Sequence, residues 1–138
     1  MSSDCIFCKI VAGEIPCARI YESEDTLAFL DIAPVNAGHA LVVPKKHYVN
    51  LWELPESLGA VLLADLKRVS QAVMDATGAH GLNLGMNNHA AAGQLVMHAH
   101  FHLIPRFEDD GLTLWSQTPY ANPDKMNALA NTIRASLK

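Results

Sequence analysis

Apolar residues follow two rhythms along this chain. Leu58, Leu62, Leu66, Val69 and Val73 recur at three- and four-residue steps, with Asp65, Lys67, Arg68 and Gln71 elsewhere around the turn. That spacing predicts an amphipathic helix from about Glu56 to Thr77, ended by Gly78 and Gly81. Before it the runs are short. "ARIYESEDTLAFLD" reads as two strands, Ala18 to Glu22 and Leu27 to Asp31, around an acidic turn. Ala40 to Val43 makes a third, which Pro44 stops. "LNLGMN" reads as a fourth strand and Val96 to Ile104 as a fifth and longest. A terminal helix is predicted where Asn122 caps, Pro123 opens the first turn, and Leu129, Ile133 and Leu137 form one stripe. Short strands joined by hairpin-length links, with a central and a C-terminal helix, predict an α+β fold on a mostly antiparallel sheet of about five strands.

No repeat, low-complexity tract or linker interrupts the pattern. The 138 residues therefore read as a single domain, 1–138, large enough for a real core. A formal charge of −4 gives no basic field, so nucleic acid is not the expected partner. No run of 18 apolar residues appears, so no membrane span is expected. "MSSDCIFCKI" lacks the pattern of a secretory signal, and a cytoplasmic location is expected. In that compartment Cys5, Cys8 and Cys17 are expected as thiols or metal ligands rather than disulfides.

The chemistry concentrates in "GQLVMHAHFHLIPR", residues 93–106, where His98, His100 and His102 alternate in a chain with seven histidines. On a strand, alternation puts Val96, the three imidazoles and Ile104 on one face, and Met97, Ala99, Phe101 and Leu103 on a core face against a helix. Three readings arise. A solvated strand would favour Thr, Lys and Glu over histidine. One metal bound by all three is resisted by geometry, because the outer Cα atoms of a regular strand lie about 13 Å apart. The third is nucleophilic catalysis: neutral imidazole attacks phosphorus near pH 7, and its neighbours hydrogen-bond phosphate oxygens or protonate the leaving group.

His98-Ala99-His100-Phe101-His102-Leu103-Ile104 resembles the signature of the histidine triad (HIT) superfamily of nucleotide hydrolases and transferases. The stretch from Cys5 to His47 is similar to the N-terminal half of its Hint branch and bacterial relatives, and together the two cover residues 5–106. The resemblance implies a catalytic set of His98, His100, His102 and the remote His39. In that set His100 is the nucleophile forming a nucleotidyl intermediate, and His102 is a phosphate ligand on the leaving-group side. It implies phosphate contacts from Asn87, Gly93 and Gln94, a ribose contact from Asp31, and an apolar slot for a purine from Ile6, Phe7, Ile10, Phe29 and Leu30. It also implies a structural zinc on Cys5, Cys8, His47 and His98, and a homodimer meeting through the central helix and a strand edge. Cys17 falls outside the metal set, and His80 and His89 read as polar loop residues. The pattern departs at Leu95, where Hint-type enzymes usually carry a serine.

The expected reaction is hydrolysis at the α-phosphate of a purine nucleotide conjugate of the phosphoramidate type, with a dinucleoside polyphosphate as the second substrate class. Two rivals belong to other classes: a catalytically weak nucleotide- or zinc-binding module, and a cupin-type metalloenzyme. The predicted helices argue against the second, since a cupin is nearly all-β.

Overall fold

The computed structural model describes residues 4–138. Five antiparallel strands form one sheet in the order β1-β2-β3-β5-β4. They span Arg19–Glu22 (β1), Thr26–Leu30 (β2), Ala40–Pro44 (β3), Gly81–Gly85 (β4) and Phe101–Arg106 (β5). The helices are α1, Ile6–Val11; α2, Gly59–Thr77; and α3, Pro123–Ser136. The α+β expectation and its antiparallel sheet hold.

Strand alternation divides the core in two. Ala28, Ala40, Val42, Phe101 and Leu103 face α2, which buries Leu62, Leu66, Val69 and Val73 against them. Each of those four side chains contributes about 1.5–3 kcal/mol of transfer free energy. On the opposite face, Leu27, Phe29, Leu41 and Val43 pack on Phe7 and Cys8 of α1. With both faces covered, β2 and β3 are apolar almost throughout. Asp65 also turns inward from α2, accepting hydrogen bonds from Tyr21, Ser23 and Thr26 hydroxyls at 2.8–3.1 Å. The helix is thereby fixed to the β1–β2 turn.

Three sequence expectations change. The fifth strand starts at Phe101 rather than Val96, so His98 and His100 lie ahead of it on irregular backbone. Phe101 and Leu103 do face a helix, but Met97 is exposed. α1 was not expected at all. Finally, the cap of α3 is as predicted, with Asn122 Oδ1 accepting from Lys125 N–H at 2.9 Å, yet its stripe of Leu129 and Ile133 is exposed.

Candidate active site

The pairing of β3 with β5 sets Leu41 opposite His102 and Ala40 opposite Leu103, which brings His39, just before β3, against His102. Their rings meet with His39 Nε2 2.9 Å from His102 Nδ1. The proton positions follow from the surrounding bonds. Val35 N–H donates to His39 Nδ1 at 3.1 Å, so His39 carries its proton on Nε2 and donates it to His102 Nδ1. His102 is then left with its own N–H on Nε2. Burial, then the neighbouring His100 and His39, push His102 down to about 4, with Asp31 opposing. Burial also lowers His39, again against Asp31, whose Oδ2 lies 3.7 Å from His39 Nε2. Both rings are neutral at pH 7.

His100 is buried and its Nδ1–H donates to the carbonyl of His98 at 2.7 Å. This leaves the Nε2 lone pair available. Phe7 packs edge-on against the ring at a centroid distance of 5.1 Å, and His102 lies 5.0 Å away on the same measure.

His98 faces elsewhere. Its Nε2–H donates to the carbonyl of Pro44 at 2.8 Å, so Nδ1 is free of a proton. That atom lies 3.4 Å from Cys5 Sγ, 3.6 Å from Cys8 Sγ and 3.2 Å from His47 Nδ1, and Cys8 Sγ lies 3.3 Å from His47 Nδ1. A tetrahedral zinc with sulfur at about 2.3 Å and nitrogen at about 2.0–2.1 Å requires separations of about 3.3–3.6 Å for its nitrogen–nitrogen and nitrogen–sulfur pairs and about 3.8 Å between its sulfurs. The four residues fit a metal. Cys5 caps α1 and Cys8 follows one turn later, so the start of this helix presents both thiols to the two imidazoles. Asp31, His39 and His102 also cluster tightly enough to suggest a second metal. The tautomers oppose it, since His39 Nε2 bears the proton that Val35 N–H imposes.

Over residues 12–109 the chain matches the HIT domain family model. It belongs to the HIT domain family. The adenylylsulfatase HINT3 of Arabidopsis thaliana is 45% identical over 116 residues, 84% of this chain, which spans only 58% of that protein's length. The adenosine 5'-monophosphoramidase hnt1 of Schizosaccharomyces pombe is 43% identical over 97% of this chain and 98% of its own. A solved structure from Streptococcus mutans superposes with a TM-score of 0.93 at 42% identity, covering 100% of this chain and 88% of that one. A zinc-bound histidine triad family protein from Mycobacterium smegmatis gives 0.75 at 34% identity, covering 97% and 98%.

Around the triad of this HIT protein the sequence-read positions fare differently. Asp31 lies just past β2, with Oδ1 accepting Ala33 N–H at 2.9 Å. Gly93 adopts φ +94, in the left-handed region, and lies against the Asn87 amide. Gln94 is held from both ends of its amide. Its Oε1 accepts His89 N–H at 2.9 Å, and its Nε2 donates to the carbonyls of Val49 at 2.6 Å and Val96 at 3.1 Å. Buried and bonded to main chain at both ends, its side chain braces the loop before the triad. Phe7 and Phe29 pack edge-on in the core, Ile10 is half-buried, and Ile6 and Leu30 are exposed.

Ile32, next to Asp31, is 100% exposed, an apolar residue in a bend with no strand to bury it. His80 is a loop residue, accepting Glu108 N–H at 3.0 Å. His89 does more than expected, since it turns the loop at φ 72 and stacks on Trp52. Cys17 is half-buried beside a cavity of about 250 Å³ that does not reach the triad.

Proposed function

We propose that this HIT protein hydrolyses purine nucleotide conjugates at the α-phosphate, nucleoside phosphoramidates first among them, through a nucleotide held covalently on His100. The observation carrying this reading is the bond from His100 Nδ1–H to the His98 carbonyl, which fixes the ring and leaves Nε2, on its opposite side, to act as the nucleophile. In the first step Nε2 bonds to phosphorus and the phosphorus–nitrogen bond breaks, releasing the amine. In the second, water attacks phosphorus and gives up a proton to solvent as the bond to Nε2 breaks, restoring the imidazole. His102 serves as a neutral Nε2–H donor to a phosphate oxygen. With its pKa held down to about 4, it is neutral at pH 7 and carries no imidazolium proton to give, so water supplies the proton for the departing amine. Asn87 and the Gly93 main chain contact phosphate, Asp31 accepts the ribose hydroxyls, and Ile6, Leu30 and Ile32 contact the base. The names of the Schizosaccharomyces pombe and Arabidopsis relatives support nucleotide hydrolysis with either an amine or a sulfate leaving group.

The test is a trapping experiment. Mixing the protein with excess AMP-morpholidate and quenching in alkali, where phosphoramidates survive, should leave one adenylyl group mapping to His100. Steady turnover with no adduct, or an adduct at another residue, overturns the reading.

Zinc is proposed on Cys5, Cys8, His47 and His98, supported by their spacing, by the His98 tautomer and by the zinc-bound mycobacterial relative. Four protein ligands leave no open position, so the metal would tie α1 to the sheet. A homodimer is proposed because apolar surface lies uncovered: Leu63 on α2, Leu84 on the edge strand β4, and Leu114, Trp115 and Ile133 in the C-terminal segment are all exposed. Among the described residues, no helix is long and apolar enough to cross a membrane.

Leu95 gives a prediction of its own. It is 90% exposed in the loop before the triad, so Leu95→Ser disturbs little packing. A hydroxyl there can pass or orient a proton for a departing amine. The substitution should raise kcat/KM for phosphoramidates by roughly tenfold, about 1.4 kcal/mol of barrier. A substrate releasing a stable anion should gain less. Equal change for both substrates, or none, would show that position 95 only fills space.

A further inference from the structure

We propose that Asn36 and Asp110 are positioning residues that lock the His39–His102 pair in its proton arrangement. This inference rests on the catalytic reading above for its kinetic consequence, but not for its structural one. Asn36 lies in the β2–β3 connection between Asp31 and His39. Its Nδ2 spends both hydrogens, on the carbonyl of Pro105 at 2.9 Å and on Asp110 Oδ2 at 3.2 Å. Its main-chain carbonyl accepts His39 N–H at 3.0 Å, and its neighbour Val35 supplies the N–H that fixes the His39 tautomer.

Asp110 is a rigid anchor. Its side chain is 7% exposed and also accepts from Arg106 Nε at 2.7 Å, Arg106 Nη2 at 3.1 Å, Phe107 N–H at 3.1 Å and Leu112 N–H at 3.0 Å. Arg106 reaches on to Asn83 Oδ1 on β4 at 2.8 Å and to the carbonyl of Leu112 at 3.1 Å. One carboxylate thus joins β4, the end of β5 and the β2–β3 connection. The seat is tight: a Cβ on Gly38 would lie 2.6 Å from Thr77 Cγ2, at the end of α2. With Asn36 released, Val35 N–H is free to leave His39 Nδ1, and nothing then obliges His39 Nε2 to carry the proton it gives to His102. Asp31 is held by bonds that do not involve the Asn36 side chain. Its N–H donates to the His39 carbonyl at 2.9 Å and its Oδ1 accepts Ala33 N–H. Substrate affinity should therefore change less than turnover.

Two readouts test this in the full chain. Imidazole 15N spectra near pH 7 should show His39 and His102 each as one fixed tautomer in the parent. In Asn36→Ala both should move toward averaged tautomers. Asn36→Asp keeps the shape but sets a second carboxylate against Asp110, and should give the same signature. Adding Asp110→Asn to it restores a donor–acceptor pair of reversed sense and should recover part of the fixed signal. On phosphoramidates the single variants should lose roughly tenfold to a hundredfold in kcat, with KM within threefold. Should Asn36→Ala fail to fold, Asn36→Ser, too short to reach Asp110, is judged by the same outcomes. Fixed tautomers in the variants, or kcat within twofold of the parent, overturn the proposal. A parent without phosphoramidate turnover counts against the catalytic reading alone, because the spectra still judge the lock in the resting protein.

Discussion

Replacing His100 with asparagine should lower phosphoramidate turnover by at least about a thousandfold, about 4 kcal/mol of barrier, with nucleoside monophosphate affinity nearly unchanged. Asparagine can still donate to the carbonyl of His98, where His100 Nδ1–H bonds at 2.7 Å, so the local backbone need not move. What disappears is the lone pair. The proposed ribose and base contacts come from Asp31, Ile6, Leu30 and Ile32, which the substitution does not touch. Single-turnover kinetics should show no burst and no covalent nucleotide. Turnover within tenfold of the parent would mean that phosphorus is attacked directly by water.

The second large effect concerns the metal. Protein purified without chelator should hold one zinc per chain, and Cys8→Ser should lose most of it, with a melting temperature lower by about 10 °C or more. A serine hydroxyl is a poor zinc ligand at neutral pH, and structural metal binding is coupled to folding free energy. The loss falls where four parts of the chain meet: the cap of α1, its first turn, the segment after β3 and the one before β5. Turnover per folded molecule should fall much less than stability does, since a closed site offers no Lewis-acid position. Metal-free protein of full stability would end the zinc proposal. So would Cys8→Ser that melts with the parent.

Much of this molecule can be read from local pattern, and the exceptions share a cause. α2 was legible because Leu62, Leu66, Val69 and Val73 repeat over several turns, and β3 because an apolar run meets Pro44. α1 escaped because it has only six residues, too few for a periodic stripe to declare itself, and it is held by Phe7 and Cys8 packing on the sheet. The triad was found by its residue types, and the expected partners Cys5, Cys8 and His47 do gather around His98. The bracing by Gln94 is not legible in the sequence, because its three main-chain partners come from turns that no spacing rule connects. Asn36 and Asp110 are 74 positions apart, and nothing in their local sequence announces the bond. Asp65 looked like a solvated helix position, and only the hydroxyls of Tyr21, Ser23 and Thr26 explain its burial.

The late start of β5 bears on whether this heptapeptide is portable. Written into a regular strand of another scaffold, His-Ala-His-Phe-His would display its imidazoles in a row on one surface, about 6.6 Å apart. Here only His102 sits in the strand, and the irregular turn before it sends His98 toward Cys5 and His100 toward Phe7. A transplant that copies the letters without the carbonyls of Pro44 and His98 would carry three histidines with unassigned protons. The smallest graft with a chance of working includes the exit of β3 and the cap of α1.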